Sequence, residues 1–378
     1  MSRKPATAQE RAPEYVRAIA PYVGGKPIEE VARELDLDPA SIIKLASNEN
    51  PRGPSPKALA AVAAAASGLT RYPDGNAFAV KAALSARLHV AAEQIVLGNG
   101  SNDILELASQ AFLRAGDHAV YSQYAFIVYM LATQARGAIG IEVAAKDHAH
   151  DLDAMRAAVT PRTRIVFLAN PNNPTGTWLT GDAVEAFIAS MPQDVIVVLD
   201  EAYNEYLEPA EQSASIEWLA RYPNLIVSRT FSKAYGLAAL RVGYGVMAPA
   251  VADLLNRVRQ PFNVNALAQA AALAALDDAA YVAESRRLNR EGMRQLEAGL
   301  QALGLNYVPS HGNFLLIEIG DAAGVNRALL RQGVIVRPVG NYDLPQWLRV
   351  TVGLPEENAR FLKALAIALD PGGARAHR

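Results

Sequence analysis

Short runs of β-branched and apolar residues alternate with longer amphipathic stretches, rich in alanine and leucine, across residues 90–250 of this 378-residue chain. The alternation is typical of βα units, in which parallel strands form a sheet and helices cover its faces. Several runs are almost entirely apolar, as expected for strands buried on both sides. The predicted strands are Gln94–Leu97, Ala119–Tyr121, Ile165–Ala169, Val195–Leu199, Leu225–Ser228 and Val242–Val246. The pattern predicts an α/β fold built on a large, mostly parallel sheet covered by helices.

The C-terminal third of the chain has a different pattern. Helical periodicity dominates residues 266–303 and recurs near Ala322–Gln332. Three predicted strands surround the second helical stretch: Asn313–Ile319, Val334–Val336 and Leu348–Val352. This order predicts a smaller α+β domain over residues 266–378.

Residues 1–40 contain proline, glycine and charges of both signs, with one short helix predicted at Ile28–Leu35. We interpret this segment as an N-terminal arm that packs on the smaller domain or on a neighbouring subunit. The residues between the arm and the smaller domain, 41–265, are then expected to form the large domain that carries the parallel sheet.

Composition and charge narrow the classes of function. With 36 basic and 38 acidic residues, the formal net charge of −2 provides no electrostatic footprint for nucleic acid or an anionic membrane. The lack of cysteine excludes a disulfide framework, a thiolate nucleophile and a cysteine-ligated metal. The six histidines are scattered, and His148-x-His150 falls in a predicted exposed loop, so no metal site is expected. We expect a protein that binds small molecules rather than nucleic acid.

Neither a secretory signal nor a membrane span is apparent in the sequence. The N-terminal residues are basic but lack the apolar core of a signal peptide. The alanine-rich stretches Ala58–Ala66 and Ala266–Leu276 fall short of the roughly 18 uncharged apolar residues that a span needs, and both are interpreted as ordinary helices. The predicted location is the cytoplasm, with no membrane partner.

Polar residues follow the carboxyl ends of four predicted strands, which form the edge of such a sheet where ligands bind. These segments are Gly98–Asn102, Asn170–Gly176, Asp200–Tyr203 and Ser228–Lys233. The first two also suit purely structural turns, because glycine, proline and asparagine favour turn geometry. The carboxyl edge of the sheet is therefore the predicted site, with a structural role for either turn as an alternative.

The Gly98–Asn102 segment joins a predicted strand to a predicted helix at Ile104–Leu113. Backbone amides at Gly100, Ser101 and Asn102 would cradle a phosphate, helped by the dipole of the helix. Gly98-x-Gly100 also opens a dinucleotide-binding fingerprint, but Asp103 stands where the third glycine belongs. The segment predicts a phosphate site without specifying the ligand.

Lys233 lies in the run Thr230-Phe-Ser-Lys-Ala-Tyr-Gly236, with Arg241 eight positions further on. An amine reacts with a carbonyl cofactor only when it is neutral, and burial near other cations lowers the pKa of a lysine. Thr230, Ser232 and Arg241 would then bind the cofactor's phosphate. This arrangement favours a Schiff-base lysine beside a phosphate clamp.

Asp200 ends a strand of five apolar residues, where burial of its charge requires a cationic partner. A protonated pyridine nitrogen would be such a partner, and Tyr203 is near enough to reach an oxygen of the same ring. Side-chain amides between Asn170 and Gly176 are placed to bind that oxygen as well. A carboxylate, ring-oxygen donors, a phosphate cup and a lysine together meet the demands of pyridoxal 5'-phosphate.

The sequence resembles the fold-type I pyridoxal-phosphate-dependent aminotransferases, and most closely the histidinol-phosphate aminotransferase family, with matching motifs from Tyr22 to Arg349. The resemblance implies that Lys233 binds the cofactor's aldehyde and then moves a proton. It also implies that Asp200 keeps the pyridine nitrogen protonated. The other cofactor contacts that it implies are Asn173 and Tyr203 at the ring oxygen, Tyr124 stacked on the ring, and Ser101, Asn102, Ser232, Arg241 and, more weakly, Thr230 at the phosphate.

The same resemblance implies a substrate site and a partner. Arg349 resembles the arginine that binds the substrate's α-carboxylate, and Arg337 the one that binds the substrate's phosphate. Tyr22 and Asn48 match further substrate-side positions. Tyr72 resembles a tyrosine that reaches the phosphate of the neighbouring subunit's cofactor, which implies a homodimer with shared active sites.

The implied activity is reversible transfer of an amino group between L-histidinol phosphate and 2-oxoglutarate in histidine biosynthesis. An aromatic amino-acid aminotransferase on the same scaffold is one alternative, and Arg337 discriminates because aromatic substrates carry no phosphate. A pyridoxal-phosphate-dependent threonine-phosphate decarboxylase, a nucleotide-binding dehydrogenase and a noncatalytic binding protein are further alternatives. Ala239 and Asn341 stand where glycine is frequent in the family, and both lie beside site residues.

Overall fold

The computed structural model describes residues 7–22 and 24–370. Within these ranges the chain forms thirteen strands and fifteen α-helices. The strands are β1 (Ile43–Lys44), β2 (Ile95–Gly98), β3 (His118–Ser122), β4 (Ile139–Val143), β5 (Thr163–Ala169), β6 (Ile196–Asp200), β7 (Leu225–Thr230), β8 (Gly243–Met247), β9 (Tyr307–Val308), β10 (Phe314–Glu318), β11 (Val334–Ile335), β12 (Arg337–Val339) and β13 (Leu344–Thr351). The helices are α1 (Ala8–Arg11), α2 (Glu14–Arg17), α3 (Ile28–Leu35), α4 (Pro56–Ala65), α5 (Phe78–Leu88), α6 (Ser101–Phe112), α7 (Val128–Gln134), α8 (Leu152–Ala157), α9 (Gly181–Ala189), α10 (Ser215–Trp218), α11 (Pro249–Val258), α12 (Ala266–Leu276), α13 (Ala279–Ala302), α14 (Ala322–Arg331) and α15 (Pro355–Leu369).

The largest sheet has seven strands in the order β2-β8-β7-β6-β5-β3-β4. All neighbours are parallel except β8, which runs antiparallel to both β2 and β7. The predicted α/β fold with a mostly parallel sheet is confirmed, and each of the six strands predicted for it is present within one or two residues at either end. The edge strand β4 was not predicted.

Helices cover both faces of this sheet because its central strands are apolar on both sides. In β6, Val197 and Leu199 join one hydrophobic cluster, whereas Ile196 and Val198 join the cluster on the opposite face. Helix α12 packs into the first cluster and α6 into the second. Burial on both faces fixes the strands, so that the residues following β5, β6 and β7 emerge at one edge.

A second, four-stranded sheet has the order β12-β13-β10-β9 and is antiparallel throughout. Helices α13, α14 and α15 contribute to one core with its apolar residues. Arg349 in β13 pairs with Leu316 in β10 and with Arg337 in β12. The register therefore places the two predicted substrate arginines side by side.

The N-terminal segment is attached to this second region. Helix α3 has the predicted bounds, and its buried Val31 and Ala32 cluster with Ile335. Strand β1 pairs in parallel with β11. Residues 1–6, Val23 and 371–378 lie outside the described residues, and the division of the chain at residues 40 and 265 stays a prediction.

Among the described helices, no single one is long and apolar enough to cross a membrane. Helices α12 and α13 meet that length and composition only as a pair, which is bent by 82° between them. In α12 the buried residues are mainly alanines that pack against the large sheet.

Candidate active site

A cleft of about 600 Å³ lies at the carboxyl edge of the large sheet, beyond β2, β5, β6 and β7. We call it the carboxyl-edge cleft. Its lining residues are Ser101, Asn102, Phe126, Tyr129, Ala169, Pro171, Asn173, Asp200, Ala202, Tyr203, Thr230, Ser232, Lys233 and Arg241. The structure therefore brings together polar residues from all four segments that follow the predicted strands.

Lys233 enters this cleft from the turn after β7. Its Nζ donates a hydrogen bond to the backbone oxygen of Ser47 at 3.0 Å. Burial, and then the positive charges of Arg349 and Arg241, lower the pKa of Lys233 from 10.5 to about 7, although nearby carboxylates oppose part of the shift. A substantial fraction of the amine is consequently neutral near pH 7 and able to attack a carbonyl carbon.

Asp200 ends β6, between Ala169 in β5 and Ser228 in β7. Its Oδ2 accepts a hydrogen bond from the hydroxyl of Tyr129 at 2.8 Å, whereas its Oδ1 is buried without a hydrogen-bond partner. Burial raises the pKa of Asp200 to about 6. A buried carboxylate oxygen without a partner is costly, so the site suits a ligand that brings a cationic N–H group.

A cluster of hydrogen-bond donors, which we call the phosphate cup, lies at the N-terminus of α6. Gly100 precedes the helix with a φ of 83°, and a Cβ on it would lie 2.7 Å from Nη2 of Arg241. Arg241 donates from Nη1 to Oγ of Ser232 at 3.3 Å and from Nη2 to the backbone oxygen of Asn99 at 3.1 Å. Helix amides, a hydroxyl and a guanidinium that converge in this way suit a phosphate.

Thr230 lines the cleft, but its hydroxyl serves the backbone. It accepts a hydrogen bond from the N–H of Ser232 at 3.1 Å and donates to the oxygen of Val242 at 3.5 Å. The hydroxyl of Thr230 therefore stabilises the turn that carries Ser232. Thr230 stays a weaker candidate for the phosphate than Ser232 and Arg241.

Tyr203 and Asn173 face the same cleft from neighbouring strand ends. The Tyr203 hydroxyl accepts a hydrogen bond from Nδ2 of Asn48 at 2.8 Å, and burial raises the pKa of Tyr203 to about 12. The hydroxyl therefore keeps a hydrogen to donate at neutral pH. The amide oxygen of Asn173 accepts a hydrogen bond from Nη1 of Arg349, which leaves its amide nitrogen as the donor for an acceptor in the cleft.

Asn48 was predicted to lie on the substrate side, but it does not line this cleft. Its side chain is only 1% exposed, and it bonds Tyr203 and the hydroxyl of Thr351. The φ of Asn48 is 55°, a left-handed conformation that asparagine tolerates. Asn48 therefore orients the hydroxyl of Tyr203 through this hydrogen bond.

The predicted ring-stacking residue, Tyr124, also lies outside the lining of the cleft. Its ring stacks on His148, with the ring centroids 5.8 Å apart. Phe126, two positions further along, lines the cleft together with the aromatic side chains of Tyr129 and Tyr203. The chain turns at Tyr124, whose φ is 58°, and the stacking of Tyr124 on a cofactor ring stays a prediction.

Comparison with known proteins identifies the family of this chain. Residues 40–365 match the family model described as aminotransferase class I and II. A Ralstonia nicotianae protein called histidinol-phosphate aminotransferase 2 is 61% identical over 368 residues, which are 96% of this chain and 98% of that protein. The chain belongs to the histidinol-phosphate aminotransferases, within the class I and II aminotransferases.

Two further members of the histidinol-phosphate aminotransferases support the assignment. A Pseudomonas aeruginosa protein of that name is 61% identical over 355 residues, 94% of this chain and 96% of that protein. The crystal structure of the Sinorhizobium meliloti histidinol-phosphate aminotransferase, solved in complex with pyridoxal-5'-phosphate, aligns with a TM-score of 0.89. That alignment covers 97% of this chain and 99% of the other at 29% identity.

Arg349, in the second sheet, does not line the carboxyl-edge cleft itself but donates from Nη1 to the lining residue Asn173. It is buried, and its Nη2 donates to the backbone oxygen of Ala46 at 2.8 Å. Its Nε is buried without a hydrogen-bond partner. Arg349 thus presents a fixed guanidinium next to Asn173 and Lys233, with donor capacity left for an anionic ligand.

Tyr22 and Arg337 line a second, larger cleft of about 1270 Å³, which we call the Tyr22–Arg337 cleft. The guanidinium carbon of Arg337 lies 5.6 Å from the centre of the Tyr22 ring. Arg337 is buried, whereas Tyr22 is 57% exposed. Neither residue lines the carboxyl-edge cleft, and Arg337 pairs across β12 and β13 with Arg349.

Tyr72 lies outside both clefts. It is 82% exposed, and its ring stacks on Phe262 with centroids 4.8 Å apart. Phe78 is 76% exposed on the same part of the chain. Tyr72 is not among the residues that line the carboxyl-edge cleft of its own chain, and its contact with a neighbouring subunit stays a prediction.

The His148-x-His150 pair was predicted to be exposed, and for His150 this was wrong. His150 is buried, its Nε2 lies 2.8 Å from the oxygen of Ala169, and burial lowers its pKa to about 4. His148 packs between the rings of Tyr124 and Trp347. Across residues 7–22 and 24–370, no group of three histidines or carboxylates is arranged to hold a metal ion.

Proposed function

We propose that this protein uses pyridoxal 5'-phosphate to transfer an amino group reversibly between L-histidinol phosphate and 2-oxoglutarate. The observation that carries the proposal is the unpartnered Oδ1 of Asp200 in the same cleft as Lys233, whose pKa is lowered to about 7. The names of the 61% identical relatives support the substrates, and the complex of the Sinorhizobium meliloti protein supports the cofactor.

The residues of the carboxyl-edge cleft fit each part of this cofactor. Asp200 would accept the pyridine N–H, which supplies the cationic partner that its buried oxygen lacks. Tyr203 and Asn173 would donate to the ring oxygen, and an aromatic side chain of the turn that carries Tyr124 and Phe126 would pack on the ring. The phosphate would be held by the α6 amides at Ser101 and Asn102, with Ser232 and Arg241. When bound, the cofactor supplies an electron sink for the substrate's α-carbon.

Lys233 has two tasks in this proposal. Its neutral amine would hold the cofactor at its aldehyde carbon. When the amino group of a substrate takes that place, the released amine of Lys233 would accept the proton from the substrate carbon that bears the amino group, and its ammonium form would hold that proton for return. A pKa near 7 suits both directions, because the amine and the ammonium forms are both populated at neutral pH.

Two arginines divide the recognition of substrates. Arg349 would bind the α-carboxylate of glutamate and 2-oxoglutarate through paired hydrogen bonds, using the donors that face the cleft. Arg337, with Tyr22 beside it, would bind the phosphate of histidinol phosphate. Since the two arginines are neighbours across β12 and β13, substrates with different anionic groups can use one reaction centre.

We further propose that the enzyme is a cytoplasmic homodimer. The exposure of Tyr72 and Phe78 supports an interface on this side of the chain, since large apolar groups at a surface mark contact sites. In such a dimer Tyr72 would reach the phosphate of the partner's cofactor. Both active sites would then be shared between subunits.

Reduction with borohydride, followed by peptide mapping, tests the mechanism. The cofactor adduct is expected on Lys233, and an adduct on another residue, or none, would contradict the proposal. Half-reactions with histidinol phosphate, phenylalanine and glutamate then test the substrates. Release of carbon dioxide during turnover would favour a decarboxylase instead.

Arg337→Gln tests the phosphate assignment. Loss of a charged hydrogen bond should reduce kcat/KM for histidinol phosphate by about 10- to 100-fold and leave phenylalanine nearly unchanged. Arg331→Gln, on the exposed end of α14, is the matched control and should change neither rate. Equal losses with both substrates would argue against the assignment of Arg337 to the substrate's phosphate, and so against histidinol phosphate as the preferred substrate.

A further inference from the structure

A network of hydrogen bonds connects the phosphate cup to residues outside the carboxyl-edge cleft. Oδ2 of Asp103 accepts from the backbone N–H of Asn99 at 2.9 Å and from Nδ2 of Asn263 at 3.1 Å. The same Nδ2 donates to the backbone oxygen of Leu97 at 3.1 Å. Asn263 therefore ties the first turn of α6 to the end of β2.

The backbone of Asn99 connects this network to the phosphate cup. Its N–H is held by Asp103, and its carbonyl oxygen accepts from Nη2 of Arg241 at 3.1 Å. Both hydrogen-bonding groups flanking the Asn99 side chain are thus fixed, one by the carboxylate and one by the guanidinium. A shift of Asn99 would move Arg241 and the adjoining Gly100 turn together.

The packing at Gly98 explains why the carboxylate reaches the turn. A Cβ on Gly98 would lie 2.5 Å from the Cβ of Asp103, so these two positions are in contact. In a dinucleotide fingerprint a glycine stands where Asp103 is, and it allows close packing at that point. Here the close approach is made by Gly98, which leaves position 103 able to carry a side chain that bonds the turn.

The negative charge of Asp103 by itself should weaken the binding of a phosphate at this turn. A carboxylate in the first turn of α6 repels a phosphate anion bound by the same turn. Arg259 offsets part of that charge, because its Nη1 donates to Oδ1 of Asn263 at 2.8 Å and places a cation in the network. What the aspartate contributes is an acceptor oxygen for two donors.

We propose that Asp103, held by Asn263, is a positioning residue that sets the affinity of the cup for the cofactor's phosphate. The proposal rests on the proposed function, since it assumes that pyridoxal 5'-phosphate binds in this cleft. Neither residue touches the cofactor in this proposal. Asp103 acts through Asn99 and Arg241, and Asn263 acts through Asp103.

The test compares pyridoxal 5'-phosphate with pyridoxal, which lacks the phosphate, in titrations of the full-length apoprotein. Asp103→Ala should raise the Kd of pyridoxal 5'-phosphate about 10- to 100-fold, because both hydrogen bonds to Oδ2 of Asp103 are lost and Asn99 is no longer held, while the Kd of pyridoxal stays within about threefold. Asp103→Asn keeps an acceptor oxygen and removes the repulsive charge. It should bind pyridoxal 5'-phosphate at least as tightly as the unaltered protein.

Asp321→Ala is the matched control, since Asp321 caps α14 by accepting from the N–H of Gly324 at 2.8 Å, away from both clefts. It should leave both Kd values unchanged. Asn263→Ala should weaken pyridoxal 5'-phosphate alone, and it decides the proposal if Asp103→Ala does not fold.

Equal weakening of both ligands, an unchanged ratio in Asn263→Ala, or a loss in Asp103→Asn as large as in Asp103→Ala would each overturn the positioning role. Failure of the unaltered protein to bind either compound at Lys233 would overturn the proposed function and this inference with it. The two failures are distinguishable because only the second affects the unaltered protein.

Discussion

The carboxyl-edge cleft and the surface around Tyr72 differ in how far a single chain completes them. In the cleft, Asp200, Tyr203 and Lys233 each have a hydrogen-bond partner from the same chain, and burial shifts the pKa of all three. On the other surface, Tyr72 and Phe262 stack on each other and remain 82% and 45% exposed. The reaction centre is thus prepared within one chain, whereas the Tyr72 surface leaves apolar area exposed that a second chain would cover in the proposed homodimer.

The largest effect is expected inside the cleft. Lys233→Ala should lower kcat for amino transfer by on the order of 10⁴-fold, because the proton at the α-carbon loses its acceptor. Lys233→Arg should fail equally, since a guanidinium stays charged at neutral pH. Single-turnover absorbance changes with glutamate measure the effect. Lys57→Ala, at an exposed ion pair with Asp277, is the control, and near-normal turnover in Lys233→Ala would contradict the role of Lys233.

Asp200→Ala should have the next largest effect. Removal of the carboxylate leaves the pyridine nitrogen without its anionic partner and should lower kcat by on the order of 10²- to 10³-fold. Tyr129→Phe removes only one hydrogen bond to that carboxylate and should cost about tenfold. Steady-state rates at saturating cofactor measure both. A loss in Tyr129→Phe as large as in Asp200→Ala would show that Asp200 does not act through its charge.

Tyr72 provides the corresponding test of the exposed surface. Tyr72→Ala should raise the Kd of pyridoxal 5'-phosphate by about 10- to 100-fold, because a donor to the phosphate is lost, and leave the chain folded, since the side chain is 82% exposed. Phe78→Ala, which removes a neighbouring exposed ring, is the control for loss of apolar area alone. Cofactor titration followed by absorbance measures the difference.

Mixed dimers decide whether the sites are shared. A Lys233→Ala subunit combined with a Tyr72→Ala subunit would place both defects in one site and leave the other intact. Random reassociation should therefore restore about a quarter of the normal activity, since half of the dimers carry one intact site. Mixtures that are no more active than the separate variants would contradict the shared site and assign Tyr72 to its own chain.

The strands of the large sheet were predictable because apolar runs between polar turns mark strands buried on both faces. Strand β4 was missed because it is an edge strand whose residues are mostly exposed, so it lacks that run. The antiparallel direction of β8 was not predictable either, because an apolar pattern reports burial and says nothing about chain direction.

Some residues of the site could likewise be predicted from the sequence, whereas others depend on tertiary packing. Lys233, Asp200 and Arg241 lie in local motifs, and their residue types state the chemistry. The contact of Tyr129 with Asp200 joins residues 71 positions apart, and it depends on how α7 packs against the sheet. A buried tyrosine needs a partner for its hydroxyl, which is the one signal that marks Tyr129 without naming Asp200. Phe126 and Tyr124 are two positions apart, and a sequence pattern does not tell that Phe126 lines the cleft in the structure.

The smallest effect concerns the charges that prepare Lys233. After burial, Arg349 is the largest cause of its lowered pKa, so Arg349→Gln should raise that pKa by about one unit. The rate at which the apoprotein binds pyridoxal 5'-phosphate covalently should rise with pH around a midpoint of about 7, and the midpoint should move upward in Arg349→Gln. Arg337→Gln is the matched control on the neighbouring strand and should leave the midpoint in place.

The lowered pKa of Lys233 also affects how the free energy of unfolding depends on pH. Between pH 7 and 10.5 the folded apoprotein binds fewer protons at Lys233 than the unfolded chain does, so this group makes the free energy of unfolding rise with pH across that window. Arg349→Gln should raise the pKa of Lys233 in the folded protein and thereby raise the lower limit of this pH window. Lys233→Met should remove the contribution of Lys233 to the pH dependence. Denaturant titrations of the apoprotein at several pH values measure the slope. An unchanged slope in Lys233→Met would mean that the cleft does not lower the pKa of Lys233, and the contrast with the exposed Tyr72 surface would then rest on geometry alone.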